Sequence, residues 1–380
     1  MSPIHRLALI SSLCSLAAVA LASDRPAVPG GIDDKPYLGR GGASVVIGGY
    51  MDHEFEWLED GGNTFDQHRF VPFLTAHVSD RVSVSMELEL EHGGNPDAGG
   101  EIKLEYGVMD YRLRDGLSFR GGVILSPLGL FNLRHDSPLN DLTERPTVNR
   151  QIMPSTLSES GMGFFGTFYP SDDAVLSYEI YLVNGFDEGV LSGNDGGKKL
   201  RVRDGRGSQK SDNNENKALA GRLGWSPALG LDFGASVHTG KYDDLGEKNL
   251  SIVGLDGTAR LGNLDLRGEL GLVSADVDRT AEPALAESQR GHYLEAAYHV
   301  LHDRFLAGSV VTLVVRHDLV DYDTDVDGDQ EQGLTLGANF RPTEETAFKL
   351  DWTRTWSTAR GATEKDDGRD RVFFSFATYF

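Results

Sequence analysis

Cysteine is nearly absent: Cys14 is the single one among 380 residues, and it lies in an apolar N-terminal stretch. With that stretch removed as a leader, nothing is left for a disulfide framework, a thiolate metal site or a thiol nucleophile. Long hydrophobic runs are missing too. No later segment offers about 18 consecutive apolar residues, and overall hydropathy is negative, so helices do not carry this chain across a membrane. Positive charge is scarce, with 36 Lys and Arg against 58 Asp and Glu and a formal charge of −22. Such a balance argues against nucleic acid as a partner, because phosphate backbones are held by cationic side chains. Gly-x-Ser-x-Gly, His-Glu-x-x-His and Cys-x-x-Cys-His are all lacking, which removes the simplest hydrolase, metalloprotease and haem-conduit readings.

What is present begins with a leader. His5 and Arg6 precede an apolar stretch from Leu7 to Leu21, and Ala20-Leu21-Ala22 stands before Ser23, the layout of a secretory signal with a small-residue cleavage site. The stretch is shorter than the roughly 20 residues of a membrane anchor and is interrupted by Ser11, Ser12 and Ser15. Leu13 before Cys14 argues against lipoprotein cleavage there. Residues 1–22 are therefore expected to be a signal peptide. Residues 23–42, with Pro26, Pro29, Gly30, Gly31, Pro36 and Gly39, read as a flexible periplasmic segment.

The remainder, 43–380, alternates. In the final segment Val372, Phe374, Phe376, Thr378 and Phe380 share one face, while Arg371, Phe373, Ser375, Ala377 and Tyr379 share the other. Val82, Val84, Met86, Leu88 and Leu90 oppose Ser83, Ser85, Glu87, Glu89 and Glu91. Leu264, Leu266, Leu270 and Leu272 oppose Asp265, Arg267 and Glu269. Such strands need an apolar medium on one side and water on the other, which a sandwich core or a lipid-facing barrel supplies equally. From Glu101 to Arg112 strict alternation puts Asp110 on the apolar face, which a bulge near Gly107 would correct.

Loop length separates the two architectures. Short turns fall near Ser79-Asp80-Arg81, Arg114-Asp115-Gly116, Pro170 to Asp173, Ser226-Pro227, Leu261-Gly262-Asn263, His302-Asp303-Arg304 and Arg341-Pro342-Thr343. Long connections fall at 57–68, 92–99, 126–157, 185–216, 241–249, 276–289, 321–332 and 357–369. Strict alternation of short and long marks a transmembrane antiparallel up-and-down β-barrel, all-β, with periplasmic turns, external loops and about sixteen strands. A terminal aromatic closing strand fits the same class. The location this predicts is the bacterial outer membrane. Expected partners are outer-membrane lipid, lipopolysaccharide and the barrel assembly machinery during biogenesis.

About sixteen strands leave a water-filled channel rather than a side-chain-packed centre, so passive diffusion of small hydrophilic solutes or ions is the expected activity. Inward candidates for lining it are the acids Glu87, Glu89, Glu105, Glu179, Glu269 and Asp351 and the bases Lys103, Arg120, Arg222, Arg267, Arg316 and Lys349, joined by Asp232, Asp265, Glu295, Asp318 and Arg371. Acids outnumber bases in this set, which alone would favour cations weakly, unless most of these charges pair across neighbouring strands and merely keep the wall wet. The connection 126–157 is too apolar for an exposed loop and is expected to fold inward. Within it Arg134, Arg145 and Arg150 offer guanidinium forks to phosphate or carboxylate, unless Asp136, Asp141 and Glu144 neutralise them.

Phe131-Asn-Leu-Arg-His-Asp-Ser-Pro-Leu139, Arg145-Pro-Thr-Val-Asn-Arg150 and Ile152-Met-Pro-Ser-Thr-Leu-Ser-Glu-Ser-Gly-Met-Gly-Phe-Phe-Gly166 resemble the corresponding region of bacterial phosphate-selective porins of the O and P type. The resemblance is local, covering about forty residues, and is supported elsewhere only by the barrel layout. It implies a homotrimer of sixteen-stranded barrels with an inward-folded third long loop, and anion or oligoanion uptake through arginine-lined constrictions in some members. The acidic balance of this chain departs from that pattern.

Two further loops carry hypotheses. Lys198, Lys199, Arg201, Arg203, Arg206 and Lys210 gather positive charge at the expected external mouth, either a solvated run or a device that steers anions or clamps lipopolysaccharide phosphates. Asp323, Asp325, Asp327, Asp329 and Glu331 space carboxylates at every second residue around Gly328, resembling the first half of a calcium loop without its closing glutamate. No other cofactor is expected. Two rival classes stand beside the channel: a barrel hydrolase, for which His53, His68, His77, His238, His299 and His317 are scattered singly, and a sheath around a partner protein, which nothing local supports.

Overall fold

The computed structural model describes residues 44–194 and 197–380. The expected signal peptide and periplasmic segment lie outside the described residues. Sixteen antiparallel strands form one closed barrel: β1 (Ser44–Leu58), β2 (Gly62–His77), β3 (Val82–Glu91), β4 (Glu101–Arg114), β5 (Leu117–Leu125), β6 (Ser158–Ser171), β7 (Ala174–Val183), β8 (Ala218–Ala228), β9 (Leu231–Lys241), β10 (Asn249–Leu261), β11 (Leu264–Ala275), β12 (Ser288–His302), β13 (Val310–Asp321), β14 (Gln330–Thr343), β15 (Thr346–Thr358) and β16 (Arg369–Tyr379). Each pairs with its neighbours in the chain, and β1 pairs with β16 from Tyr50 opposite Tyr379 to Leu58 opposite Arg371.

One end carries turns such as 115–116, 172–173, 229–230, 262–263 and 344–345, and the other carries the long connections. The stretch 57–68, expected to be a long loop, is instead a hairpin that turns within 59–61. Its polar residues are explained by the barrel itself: Glu54, Glu56, Asp66 and His68 face a wet cavity inside the mouth, while Phe55 and Phe65 pair with ring centroids 4.9 Å apart.

A second departure sits in β4. Glu87 pairs with Tyr106 and Leu88 with Leu104, so Glu105 is the extra residue of a bulge, two positions before the expected Gly107. Alternation then resumes out of phase. Asp110 consequently turns inward and receives Nε and Nη2 of Arg120 at 2.8 and 2.9 Å.

The outer wall is apolar, with exposed Leu, Val and Phe side chains along most strands. Near the short-turn end it carries Phe168, Tyr169, Trp225, Phe233, Phe305, Phe348 and Phe380, all exposed, as an interfacial girdle requires. The last residue completes the seam: the Phe380 amide donates to Gly49 O at 2.9 Å, the Gly49 amide donates to Phe380 O at 3.1 Å, and the Phe380 ring stacks on Phe70 at 5.4 Å. A Cβ at Gly49 would lie 2.4 Å from Val71 O and 2.7 Å from Phe380 Cζ. Gly49→Val is therefore expected to weaken closure, lowering the temperature at which the compact band on a heat-modifiability gel is lost. Gly121→Ala, whose new atom would meet nothing nearer than 3.4 Å, should leave that temperature unchanged.

Candidate functional site

The lumen is built around the connection 126–157. Its two ends are tied together, with Ser126 N donating to Leu157 O at 2.8 Å and Asn132 donating to Ser126 O at 2.7 Å while accepting from Leu157 N. Its apolar residues Leu128, Phe131, Val148, Ile152, Met153 and Leu157 form one cluster with Leu250 and Ile252 of β10, Val273 of β11, Tyr293 of β12 and Val320 of β13. That contact accounts for a loop richer in hydrophobic residues than water would tolerate. The wall is thinned to receive it: a Cβ at Gly271 would come within 2.8 Å of Met153, and one at Gly291 within 3.1 Å of Ile152.

Polar anchors fix the rest of the loop. Glu269 accepts from the Phe131 amide and from Asn149 Nδ2, the latter at 2.9 Å. Asp318 accepts from Thr147 N at 2.9 Å, and Asp351 from Thr143 N at 2.5 Å. Lys349 donates to Ser137 O at 2.7 Å and Leu142 O at 3.3 Å, and Arg316 donates to Glu144 O at 2.8 Å. Several residues nominated from sequence as channel lining thus face inward but hold the loop.

Most remaining inward charges pair with each other. Arg222 holds Asp256 through two hydrogen bonds, Arg267 meets Glu295 at 2.7 Å, Arg316 meets Asp318 at 2.8 Å, and Arg69 meets Glu89 at 2.9 Å. Glu179 accepts from Tyr181 OH at 2.7 Å and lies 3.7 Å from Arg120. Lys103 donates to Thr156 O at 3.1 Å. Glu87 and Glu105 stand apart from these pairs, against His135 of the loop.

The lumen holds several cavities. Between an outer cavity of about 580 Å³, beneath the long-loop end, and an inner one of about 510 Å³, near the short turns, lies a narrow space of about 10 Å³, the neck, which shares Arg69, Glu144 and Arg145 with the first and Arg267 with the second. Neck walls carry Arg69, Arg145, Arg267 and Arg316 against Glu144. Arg134 and Asp141 line the inner cavity.

The expected neutralisation within the loop applies to one arginine. Arg150 meets Glu144 at 3.2 Å, and that carboxylate holds its guanidinium above the usual range. Asp136 instead accepts from Tyr379 OH at 2.8 Å, and Asp141 meets Arg341 at 3.1 Å. Arg145 has only Ser155 Oγ at 3.3 Å, its Nε and Nη2 lacking partners; burial, then Arg69, lowers its pKa.

Sequence reasoning placed the basic run 198–210 at the external mouth. The connection 184–217 in fact packs Phe186, Val190, Leu200 and Val202 into the same apolar cluster as the first loop. Those four residues were the signal for a second inward loop. Arg201 and Arg203 consequently line the outer cavity. Arg203 donates to Ser155 O at 3.5 Å and Arg206 to Thr156 Oγ1 at 3.3 Å, beside Arg145. Burial, with Arg206 and Arg145 close by, pushes the Arg203 guanidinium down to about 10. Arg69 was also missed, since it lies in the stretch read as loop and strand edge.

The acidic segment that raised the calcium hypothesis meets arginines. Asp323 meets Arg360 at 2.6 Å and Arg279 at 3.3 Å, Asp325 meets Arg279 at 3.0 Å, and Asp329 meets Arg360 at 3.4 Å. Glu331 accepts from Tyr322 OH at 3.2 Å, while Asp327 contributes its backbone carbonyl to Gly361 N. At Asp323, Asp325 and Asp329, guanidinium groups therefore take up carboxylate oxygens that an oxygen-liganded cation would use. The histidines divide similarly: His238 is buried against Glu159 at 2.9 Å, and His299 meets Asp265 at 3.4 Å.

No protein-family model matches the chain. It is similar to a protein of Aquifex aeolicus (strain VF5) described only as uncharacterized, 27% identical over 364 residues that cover 84% of this chain and 80% of that protein. Among solved structures it is similar to the anion-selective porin from Comamonas acidovorans, with TM-score 0.59, 13% identity, and coverage of 89% of this chain and 100% of that one. It is likewise similar to the outer membrane channel DcaP of Acinetobacter baumannii, with TM-score 0.57, 11% identity and coverage of 90% and 98%. OmpT of Vibrio cholerae in its trimer form gives TM-score 0.56, 12% identity and coverage of 89% and 99%. At these identities the likeness establishes the fold, a sixteen-stranded barrel of the kind found in outer-membrane porins.

Proposed function

We propose that the chain is an outer-membrane porin, a passive channel for small hydrophilic solutes whose neck favours anions. The observation that carries the reading is Arg145, which lines the neck without a carboxylate partner among the described residues, with Arg203 in the outer cavity and Arg206 beside them likewise unpaired. An unpaired guanidinium about 6 Å from a passing ion contributes roughly 0.7 kcal/mol at the dielectric of water and about 3 kcal/mol at an effective value near 20. Acids elsewhere on the chain are screened beyond a Debye length of about 8–10 Å. The likeness to a porin named as anion-selective points the same way. A homotrimer is part of the proposal, supported by the trimer form of one structural neighbour. Phosphate is one anion that paired guanidinium forks would accept. Transport without chemical conversion is the activity assigned, and delivery to the outer membrane follows the leader and the apolar wall.

In a planar bilayer under a potassium chloride gradient, the reversal potential should report chloride over potassium. Arg145→Glu combined with Arg203→Glu should shift the permeability ratio toward potassium by about tenfold, in line with one to a few kcal/mol. A wild-type reversal potential on the cation side would overturn the anion preference, and absence of current would overturn the channel.

The loop anchors give a second expectation. Glu269→Ala removes two buried acceptor contacts to the loop, a cost of about 2 kcal/mol or more for hydrogen bonds to a charged group. Single-channel records of this variant should show a larger and noisier open state than wild type.

A further inference from the structure

The loop meets the wall twice, on opposite sides of the lumen. Its apolar side lies on β10 to β13. Across from that contact, His135 of the loop reaches Glu87 of β3 and Glu105 of β4, with one ligating atom from each residue lying within 4.8 Å of the others. All three are buried, with exposures of 5%, 0% and 3% for Glu87, Glu105 and His135.

Hydrogen bonding leaves this cluster incomplete. Asn132 O lies 2.7 Å from His135 Nδ1; a carbonyl only accepts, so Nδ1 carries a proton and Nε2 is the nitrogen aimed into the cluster. Nε2 in turn lies 2.7 Å from Glu105 Oε1. Neither atom has an aligned hydrogen-bond partner, and Glu105 Oε2 and Glu87 Oε1 have none either. Two buried carboxylates thus face each other across a single imidazole, an arrangement that costs several kcal/mol for each ion left uncompensated. The bulge in β4 falls at Glu105 itself, as bulges do where a side chain is aimed at a site.

From this geometry we propose that Glu87, Glu105 and His135 bind a divalent ion of the zinc class, which staples the constriction loop to the β3–β4 wall. Two carboxylates and a neutral imidazole balance the charge of such an ion, and all four orphan atoms gain a partner. The backbone carbonyl on Nδ1 is the kind of outer support that fixes a metal-ligating histidine in its tautomer. Nitrogen in the donor set favours zinc or a similar transition ion over calcium and magnesium, which take oxygen ligands. Three protein ligands leave a coordination position for water. Because Arg145 and His135 both line the neck, the staple would set its width. The site stands independently of which solute the channel passes.

The full chain, folded in detergent, is incubated with zinc chloride, desalted, and measured by plasma mass spectrometry. The expected result is about one zinc per chain, reduced to background in His135→Gln and Glu105→Gln variants that still show heat-modifiable migration. Zinc-free wild type would overturn the proposal and leave protons as the groups that bridge the cluster. Undiminished zinc in both variants would overturn it as well, moving the metal elsewhere. X-ray absorption at the zinc edge of wild-type protein needs no variant: one imidazole with oxygen neighbours at about 2.0–2.2 Å supports the site, and a shell of several imidazoles refutes it.

Discussion

An open sheet carries two rows of unpaired amides and carbonyls, and in hydrocarbon neither row finds water. The pairing of β1 with β16 removes both rows at once. Every other feature of the molecule presupposes that seam, because closure sends alternate residues to two different solvents, apolar outside and wet within. Gly48 and Gly49 of β1 make the seam tight enough for the Phe380 backbone to bond and its ring to lie flat against the neighbouring strand. Closure also defines an enclosed volume that loops can occupy.

Two connections occupy it, and they divide the work. The first buries an apolar side on β10 to β13 and presents its polar side to β1 to β4 and β14 to β16. The second lies over the first and brings cationic side chains to its backbone at Ser155 and Thr156. Burying Glu269, Asp318 and Asp351 is tolerated because each accepts a loop amide, and the removal of either partner would strand the other. Positions that alternation marks as inward thus serve two ends: some hold the loop, and a smaller number face the passage.

Architecture was legible in the sequence because a barrel repeats one local rule. Alternation in 82–91 and 371–380, and the short-long rhythm of connections, each depend on residues close together in the chain. The hairpin at 57–68 was not legible, since Glu54, Glu56, Asp66 and His68 are polar for the sake of an interior that exists only after closure. The bulge was visible as a broken pattern at Asp110, but its position depended on Tyr106 and Val108 being wanted inside. The site was less legible still. Arg145 and Arg150 lie five residues apart and look equivalent, yet Arg150 meets Glu144 and Arg145 does not. Which acid reaches which base is decided by loop folding across the lumen, and local sequence does not encode it.

The same distinction reconciles an acidic chain with the proposed anion preference. A passing ion responds to charges within about one Debye length and inside low-dielectric walls, not to a sum over 380 residues. Where Arg222 meets Asp256 or Arg267 meets Glu295, the two fields nearly cancel at the distance of the passage. Several acids are spent on other things: Asp323 on two arginines of the outer loops, Glu269 on loop amides, Asp136 on Tyr379. What is left uncancelled beside the neck is a set of guanidinium groups whose carboxylates are engaged elsewhere. On the proposed reading, selectivity follows the unpaired charge at the narrowest section rather than the net charge of the whole chain.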